Sequence, residues 1–236
     1  MGRGTCTDSE ERPPLPDDWT PAHVDALRAA AKQDDAGALA QLGDMYRDGW
    51  RRSDGTVLVR RDRKAAKRYL ERAAALGDAE AMYVLAGLLV EDHRDARTFE
   101  RAVALYKRAF HAGESTAAYN LAVAYKKRQR YREAFRWFQR AHEAGDPSAL
   151  LQLARAELYG IGIKRDPSAA LTKLRRMANS RTTYWPASGG ENVEAMLIIA
   201  DALMEGWLLP RDFNEGVRWL RRAASWGNAT AIALLK

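Results

Sequence analysis

The chain has a single cysteine, Cys6, and only four histidines among its 236 residues. Because one cysteine cannot form an intramolecular disulfide, the composition favours a reducing cytoplasm as the location. The four histidines, His23, His93, His111 and His142, have no partner residues at the spacing of a metal site. We therefore predict that the chain has no metal-binding residues.

Motifs of catalysis are also missing. The sequence has no glycine-rich phosphate loop, no nucleophile elbow and no pair of carboxylates on an apolar background. We therefore predict no catalytic residues, no cofactor and no enzymatic activity. An enzyme regulator, or an enzyme whose motifs are not recognised, is the last alternative for the function.

Long apolar runs are absent as well. Each apolar run is interrupted within about a dozen residues, whereas a membrane-spanning helix needs about 20. Residues 1–21 are polar, acidic and rich in proline, so we predict no signal peptide. Residues 1–16 are expected to form a disordered tail, followed by one repeat domain over residues 17–236.

What the sequence does have is a segment of roughly 35 residues that recurs five times. Each copy closes with a variant of Ala-Ala-x-x-Gly-Asp, as in RAAALGD at 72–78 and RAHEAGD at 140–146. We call the glycine of this motif the closing position: it is Gly77, Gly113, Gly145 and Gly227, and Arg181 in the fourth copy. A small residue lies eleven positions before the closing position, and a large apolar residue lies seven positions before it. These pairs are Ala66 and Leu70, Ala102 and Tyr106, Ala134 and Phe138, Ala170 and Leu174, and Gly216 and Leu220. Such a register allows two antiparallel helices to pack closely in every copy.

The register predicts an all-α fold, an α/α solenoid that forms a right-handed superhelix of about five helix-pair repeats. The repeats are expected at about 36–78, 79–114, 115–146, 147–181 and 192–228. Capping helices are expected at both ends, the first beginning at Pro21. Residues 17–236 should contain about eleven or twelve helices and no β-sheet. Residues 182–191, rich in Pro, Gly and Ser, read as an insertion between two repeats.

The repeats resemble the Sel-one-like repeat family, a relative of the tetratricopeptide repeat with a longer loop. The first repeat carries LGDMYRDG at 42–49, followed by Asp62, Ala66 and Tyr69, and the last repeat carries a similar pattern. The third repeat, which lacks a long loop, resembles a tetratricopeptide repeat. The resemblance covers about residues 36–236. It implies a non-catalytic adaptor or scaffold that binds a protein or peptide partner on a concave surface.

Alternatives remain for the function and for the kind of partner. The family resemblance also implies a bacterial immunity protein that neutralises a toxin, and the Ala- and Arg-rich composition is typical of bacteria. Basic clusters at 60–68 and 126–132 could meet an acidic partner, whereas nucleic acid is not expected because acidic residues are interleaved with the basic ones. The oligomeric state is left open.

The predicted partner-binding residues fall into two groups. In tetratricopeptide proteins, an asparagine at the place of Asn120 often contacts a bound peptide. The resemblance therefore implies a peptide site across Tyr83, Asn120 and Gln152, with Arg155 one turn further along. The second group is Tyr184 and Trp185, aromatic residues in the 182–191 insertion, because aromatics on a loop are common binding anchors.

Overall fold

The protein is described by a computed structural model, in which residues 19–92, 95–180, 190–206 and 208–235 are described. The predicted tail at 1–16, His93, Trp207 and nearly all of the 182–191 insertion, including Tyr184 and Trp185, lie outside these residues. The chain folds into two compact units, Met1–Glu114 and Ser115–Lys236.

The described residues form twelve α-helices and two short strands. In the first unit these are α1 (Pro21–Lys32), α2 (Ala36–Asp48), β1 (Trp50–Arg51), β2 (Val57–Val59), α3 (Arg63–Ala75), α4 (Ala79–Asp92) and α5 (Ala96–His111). In the second unit they are α6 (Thr116–Lys127), α7 (Tyr131–Glu143), α8 (Pro147–Tyr159), α9 (Pro167–Asn179), α10 (Glu191–Glu205), α11 (Phe213–Ser225) and α12 (Ala229–Leu234).

The helices pack in sequential pairs, which confirms the solenoid prediction. In the first unit α2 packs on α3 and α4 on α5; in the second, α6 packs on α7, α8 on α9 and α10 on α11. Within each unit, the second helix of a pair also contacts the first helix of the next pair, as α3 contacts α4 and α9 contacts α10. The handedness and the number of repeats remain predictions.

The small residues of the register lie where the helices of a pair approach most closely. Ala66, Ala102 and Ala170 have no exposed surface, and Ala134 is 3% exposed. A Cβ atom added at Gly216 would collide with Met204 on α10, which explains why this copy has glycine. The large apolar residues seven positions before each closing position are buried as well, from Leu70 to Leu220. The register therefore sets the core of each pair.

Aspartates begin most of the described helices, among them α9 at Asp166 and α11 at Asp212. The Asp166 carboxylate accepts a hydrogen bond from the Ala169 N–H at 2.9 Å, and Asp212 accepts one from the Glu215 N–H at 2.9 Å. An N-cap carboxylate satisfies a free backbone donor and lies at the positive end of the helix dipole.

The expectation of a fold without β-sheet is wrong at one place. The long loop of the first repeat contains an antiparallel pair of strands, β1 and β2. Asp54 and Gly55 make the turn: the Asp54 carboxylate accepts from the Thr56 N–H at 2.8 Å, and Gly55 has a φ of 84°. Three β-branched residues follow in Thr56–Val59, and Val59 is 3% exposed. The β-branched residues favour an extended chain here, and the last of them, Val59, packs inward while Val57 stays exposed.

Candidate functional site

In the second unit, polar side chains connect the first helices of successive pairs. Lys126 on α6 donates a hydrogen bond from Nζ to Oε1 of Gln152 on α8 at 3.0 Å. Gln152 also forms a side-chain hydrogen bond with Tyr119 on α6. Arg155, one turn after Gln152, donates to Oε1 of Glu194 on α10 at 2.6 Å. We call Tyr119, Lys126, Gln152, Arg155 and Glu194 the polar stripe.

Helix geometry explains how these residues share one face. Tyr119 and Lys126 are seven residues apart on α6, and Gln152 and Arg155 are three apart on α8, spacings that place side chains on one side of a helix. The opposite sides of α6 and α8 carry buried residues such as Leu121 and Leu153. The apolar faces therefore pack inward and leave the stripe at the surface.

The stripe combines a hydroxyl, an amide, two cations and a carboxylate in partly exposed positions. The Arg155 and Glu194 side chains each keep 43% of their surface exposed. Burial, with a further contribution from the carboxylates of Glu191 and Asp146, raises the pKa of Tyr119, so its hydroxyl stays protonated and can donate a hydrogen bond. These groups can recognise the backbone and polar side chains of a bound chain, and none is arranged as a nucleophile with a base.

The structure places the predicted site residues in both units. Gln152 and Arg155 lie on the polar stripe, and Asn120 lies on the same helix as Tyr119 and Lys126. Asn120 is half-buried, and its Nδ2 donates to the Thr116 carbonyl at 3.2 Å. Tyr83 lies in the first unit on α4, where its ring is tilted against Tyr106 at 6.1 Å.

Three residues of the stripe were missed by the sequence interpretation. Lys126, on the same helix as Asn120, was not among the predicted contacts. The signal was the seven-residue spacing from Tyr119, which puts Lys126 on the same helix face. Glu194 was missed because its pairing with Arg155 spans 39 positions of the sequence.

Among the described residues, no three His, Cys, Asp or Glu side chains are grouped so that they could hold a metal ion. None of the described helices combines the length and the hydropathy that a membrane span requires.

The chain matches a family model, and it is also similar in fold to solved structures. The model of the Sel1 repeat matches residues 36–78, 115–146, 147–172 and 193–228, which together make up more than half of the chain. The segment 79–114, predicted as a repeat, lies outside these matches, although α4 and α5 form a helix pair there.

Among solved structures, a Sel1 repeat protein from Oxalobacter formigenes superposes with a TM-score of 0.60 at 22% identity, over 86% of this chain and 76% of that one. The protective antigen c5321 of uropathogenic Escherichia coli, which displays an SLR fold, gives 0.61 at 21% identity over 86% of this chain and 40% of its own. Yeast Tom70 gives 0.50 at 14% identity, over 87% of this chain and 39% of its own. At these identities the similarity shows a shared fold.

Proposed function

Because the chain belongs to the Sel1 repeat family, we propose that it is a non-catalytic protein-binding module, an adaptor or scaffold that holds a protein or peptide partner. The observation that supports this function is the polar stripe, which runs across α6, α8 and α10 on partly exposed side chains. A bound chain can exchange hydrogen bonds with these groups without disturbing the apolar faces that hold the helices together.

Recognition on this surface rests on amide and charged groups. Gln152 has both a donor and an acceptor, so it can pair with the backbone of an extended peptide. Lys126 and Arg155 add positive charge beside it, and Glu194 adds a carboxylate. Asn120 on α6 and Tyr83 on α4 in the first unit stay in the proposal as further contacts.

The first experiment captures the partner from the source cell with the full-length protein and identifies it by mass spectrometry. Titration calorimetry then compares the wild type with Gln152→Ala and Asn120→Ala. Each substitution should weaken binding by about 0.5–1.5 kcal/mol, the net value of one hydrogen bond, which is about 2- to 13-fold in Kd.

Gln139→Ala is the matched control. Gln139 is exposed on α7, a second helix of the same unit, and its change to alanine removes the same atoms as Gln152→Ala does. The affinity of Gln139→Ala for the partner should equal that of the wild type. If Gln152→Ala and Asn120→Ala both bind like the control, the polar stripe is not the binding surface. The alternative of a toxin-neutralising protein also requires a protein partner, and the identity of the captured protein distinguishes it from an adaptor.

A further inference from the structure

Two clefts in the first unit share Arg28. The first cleft has a volume of about 330 Å³. Its walls include Arg28, Lys32 and Asp25 of α1, with Arg28 paired to Asp25 at 3.0 Å, and Tyr69 and Arg72 of α3. The second has a volume of about 430 Å³ and is lined by Arg28, by Tyr46 of α2 and by all three residues of β2 together with Arg60 and Asp62. Arg28 donates a hydrogen bond to the Tyr46 hydroxyl at 3.3 Å.

The positive charge of the first unit is concentrated beside these clefts. Residues 49–72 contain nine basic and three acidic residues, whereas the rest of residues 1–114 contains ten basic and seventeen acidic residues. The side chains of several exposed basic residues in this segment form no ion pair or hydrogen bond within the described part of the chain. These are Arg51, Arg60, Arg61, Lys64 and Arg68.

The arrangement of charge on α3 is unfavourable for the helix itself. Asp62 caps its N-terminus, but Arg63 and Lys64 follow in the first turn, where the positive end of the helix dipole disfavours cations. Lys64 and Arg68 are four residues apart, where like charges repel each other. Such an arrangement is typical of a surface that meets negative charge from outside the fold.

Strand β2 has an edge that β1 does not cover. Every residue of β2 lines the second cleft, and β2 pairs with β1 along one side only, so its other side faces away from β1. The described sheet has two strands, so no further strand of the described residues pairs with this side. An open strand edge can add an extended peptide through main-chain hydrogen bonds.

The aromatic rings near Arg28 favour a peptide over a nucleic acid. Tyr46 and Tyr69 are stacked, with ring centroids 5.5 Å apart and planes only 8° from parallel. Each ring therefore has one face covered by the other, and no base can insert between them. Single-stranded nucleic acids are usually held by aromatic faces that are open to the bases.

We propose that these two clefts bind an extended acidic segment of a protein partner, with its main chain along β2 and its carboxylates beside Arg28, Lys32 and Arg60. This inference rests on the proposed protein-binding function and adds a contact surface in the first unit, separate in sequence from the polar stripe.

The probe is a fluorescent peptide of about ten alternating Glu and Val residues, which spans about 33 Å when extended. Fluorescence anisotropy measures its binding to the full-length protein. Lys32→Glu combined with Arg60→Glu should weaken binding about tenfold or more, because two attractive charges are reversed and become repulsive. Both side chains are exposed, so the fold should be preserved.

The control is Arg218→Glu combined with Arg221→Glu on α11, where both arginines are exposed and the same charge is changed. Its affinity should match the wild type, and a peptide with Gln in place of Glu should bind at least about tenfold more weakly. A peptide N-methylated at alternate residues should also bind more weakly, because it loses donors to the strand edge.

Equal weakening in the two double variants would overturn the inference, because it would indicate attraction by net charge alone. A single-stranded DNA oligomer that displaces the peptide at equal or lower concentration would overturn the choice of a protein segment. If the wild type fails to bind the peptide, this inference is wrong, while partner capture and its dependence on Gln152 still test the proposed function.

Discussion

The first and third repeats join their two helices in different ways. In the first repeat, residues 49–62 separate α2 from α3 and contain the β1–β2 hairpin; in the third, residues 128–130 are enough to separate α6 from α7. The helix packing beside the two loops is nevertheless equivalent, because Ala66 and Ala134 are both buried at the same register position. Packing and loop length are therefore independent, and the longer loop can carry an additional surface.

The largest expected effect tests whether the packing is equivalent. Ala66→Trp and Ala134→Trp should each lower the free energy of unfolding by about 1–3 kcal/mol or more, because a large ring is forced between closely packed helices. Urea denaturation followed by circular dichroism measures the loss. Ala75→Trp, at an exposed position of α3, is the control and should stay within about 0.5 kcal/mol of the wild type. If Ala66→Trp or Ala134→Trp unfolds at the same urea concentration as the wild type, the register is wrong.

The second prediction concerns how the helix after each loop begins. The Asp62 carboxylate accepts from the backbone N–H groups of Lys64 and Ala65 at 2.9 and 3.0 Å, whereas Arg130, at the equivalent place before α7, makes no side-chain cap bond. Asp62→Ala should therefore cost about 1 kcal/mol of stability. Arg130→Ala should cost less, because it removes only partly exposed contacts.

Asp62→Asn keeps an acceptor at the N-cap, so it should retain most of the stability that Asp62→Ala loses. The same denaturation experiment measures all three variants. Equal losses of stability for Asp62→Ala and Arg130→Ala would mean that the N-termini of α3 and α7 are capped equally. That result would contradict the hydrogen bonds that the structure shows at Asp62.

The smallest effect is a pH dependence at the two loops. The hydrogen bond from Arg130 Nε to Glu133 Oε1, at 2.8 Å, lowers the pKa of Glu133, and hydrogen bonds with Thr56 lower the pKa of Asp54 in the hairpin. Arg130→Ala should raise the pKa of Glu133 and leave that of Asp54 unchanged, as measured by NMR titration of the carboxyl carbons.

The sign of the stability effect follows from these directions. A carboxyl whose pKa is lower in the folded state stabilises the fold when it is ionised. That contribution is complete above the unfolded pKa, about 4 for these residues, and is lost as the pH falls through the folded value. An unchanged pKa of Glu133 in Arg130→Ala would show that the ion pair does not form in solution.

Most helix boundaries could be predicted from the sequence, because they depend on local signals. The first helix begins at Pro21, as predicted, and each predicted repeat begins within one residue of a first helix: α2 at 36, α4 at 79, α6 at 116, α8 at 147 and α10 at 191. The hairpin was missed because its strands have two and three residues, too short for a period to be recognised. Its signal was Asp54-Gly55 before a β-branched run.

The candidate site could be predicted only in part. Gln152 and Arg155 were named from their place on a repeat, which is a property of the sequence. Their partners depend on how long side chains reach between helices: Lys126 and Gln152 are 26 positions apart, and Arg155 and Glu194 are 39 apart. Such pairings need the three-dimensional arrangement. The cytoplasmic location and the role of the 182–191 insertion stay predictions.

An arginine lies five residues before the closing position of every repeat, at 72, 108, 140, 176 and 222. Arg72 donates to the carbonyl of Ala31 near the end of α1, Arg108 to that of Ala74 near the end of α3, and Arg222 to the amide oxygen of Asn179, the last residue of α9. In each of these three contacts, an arginine on the second helix of a pair donates to the end of the helix two places earlier in the chain: α3 to α1, α5 to α3 and α11 to α9.

These contacts make the ends of neighbouring helices depend on each other. In a solenoid, cooperativity comes from nearest-neighbour interfaces, since distant repeats do not touch. When a repeat opens, it releases its arginine and leaves the last turn of that earlier helix without a donor, so fraying at one place lowers the barrier to fraying at the next. Local opening should therefore propagate along each unit from repeat to repeat, and amide protons of neighbouring helix ends should exchange together.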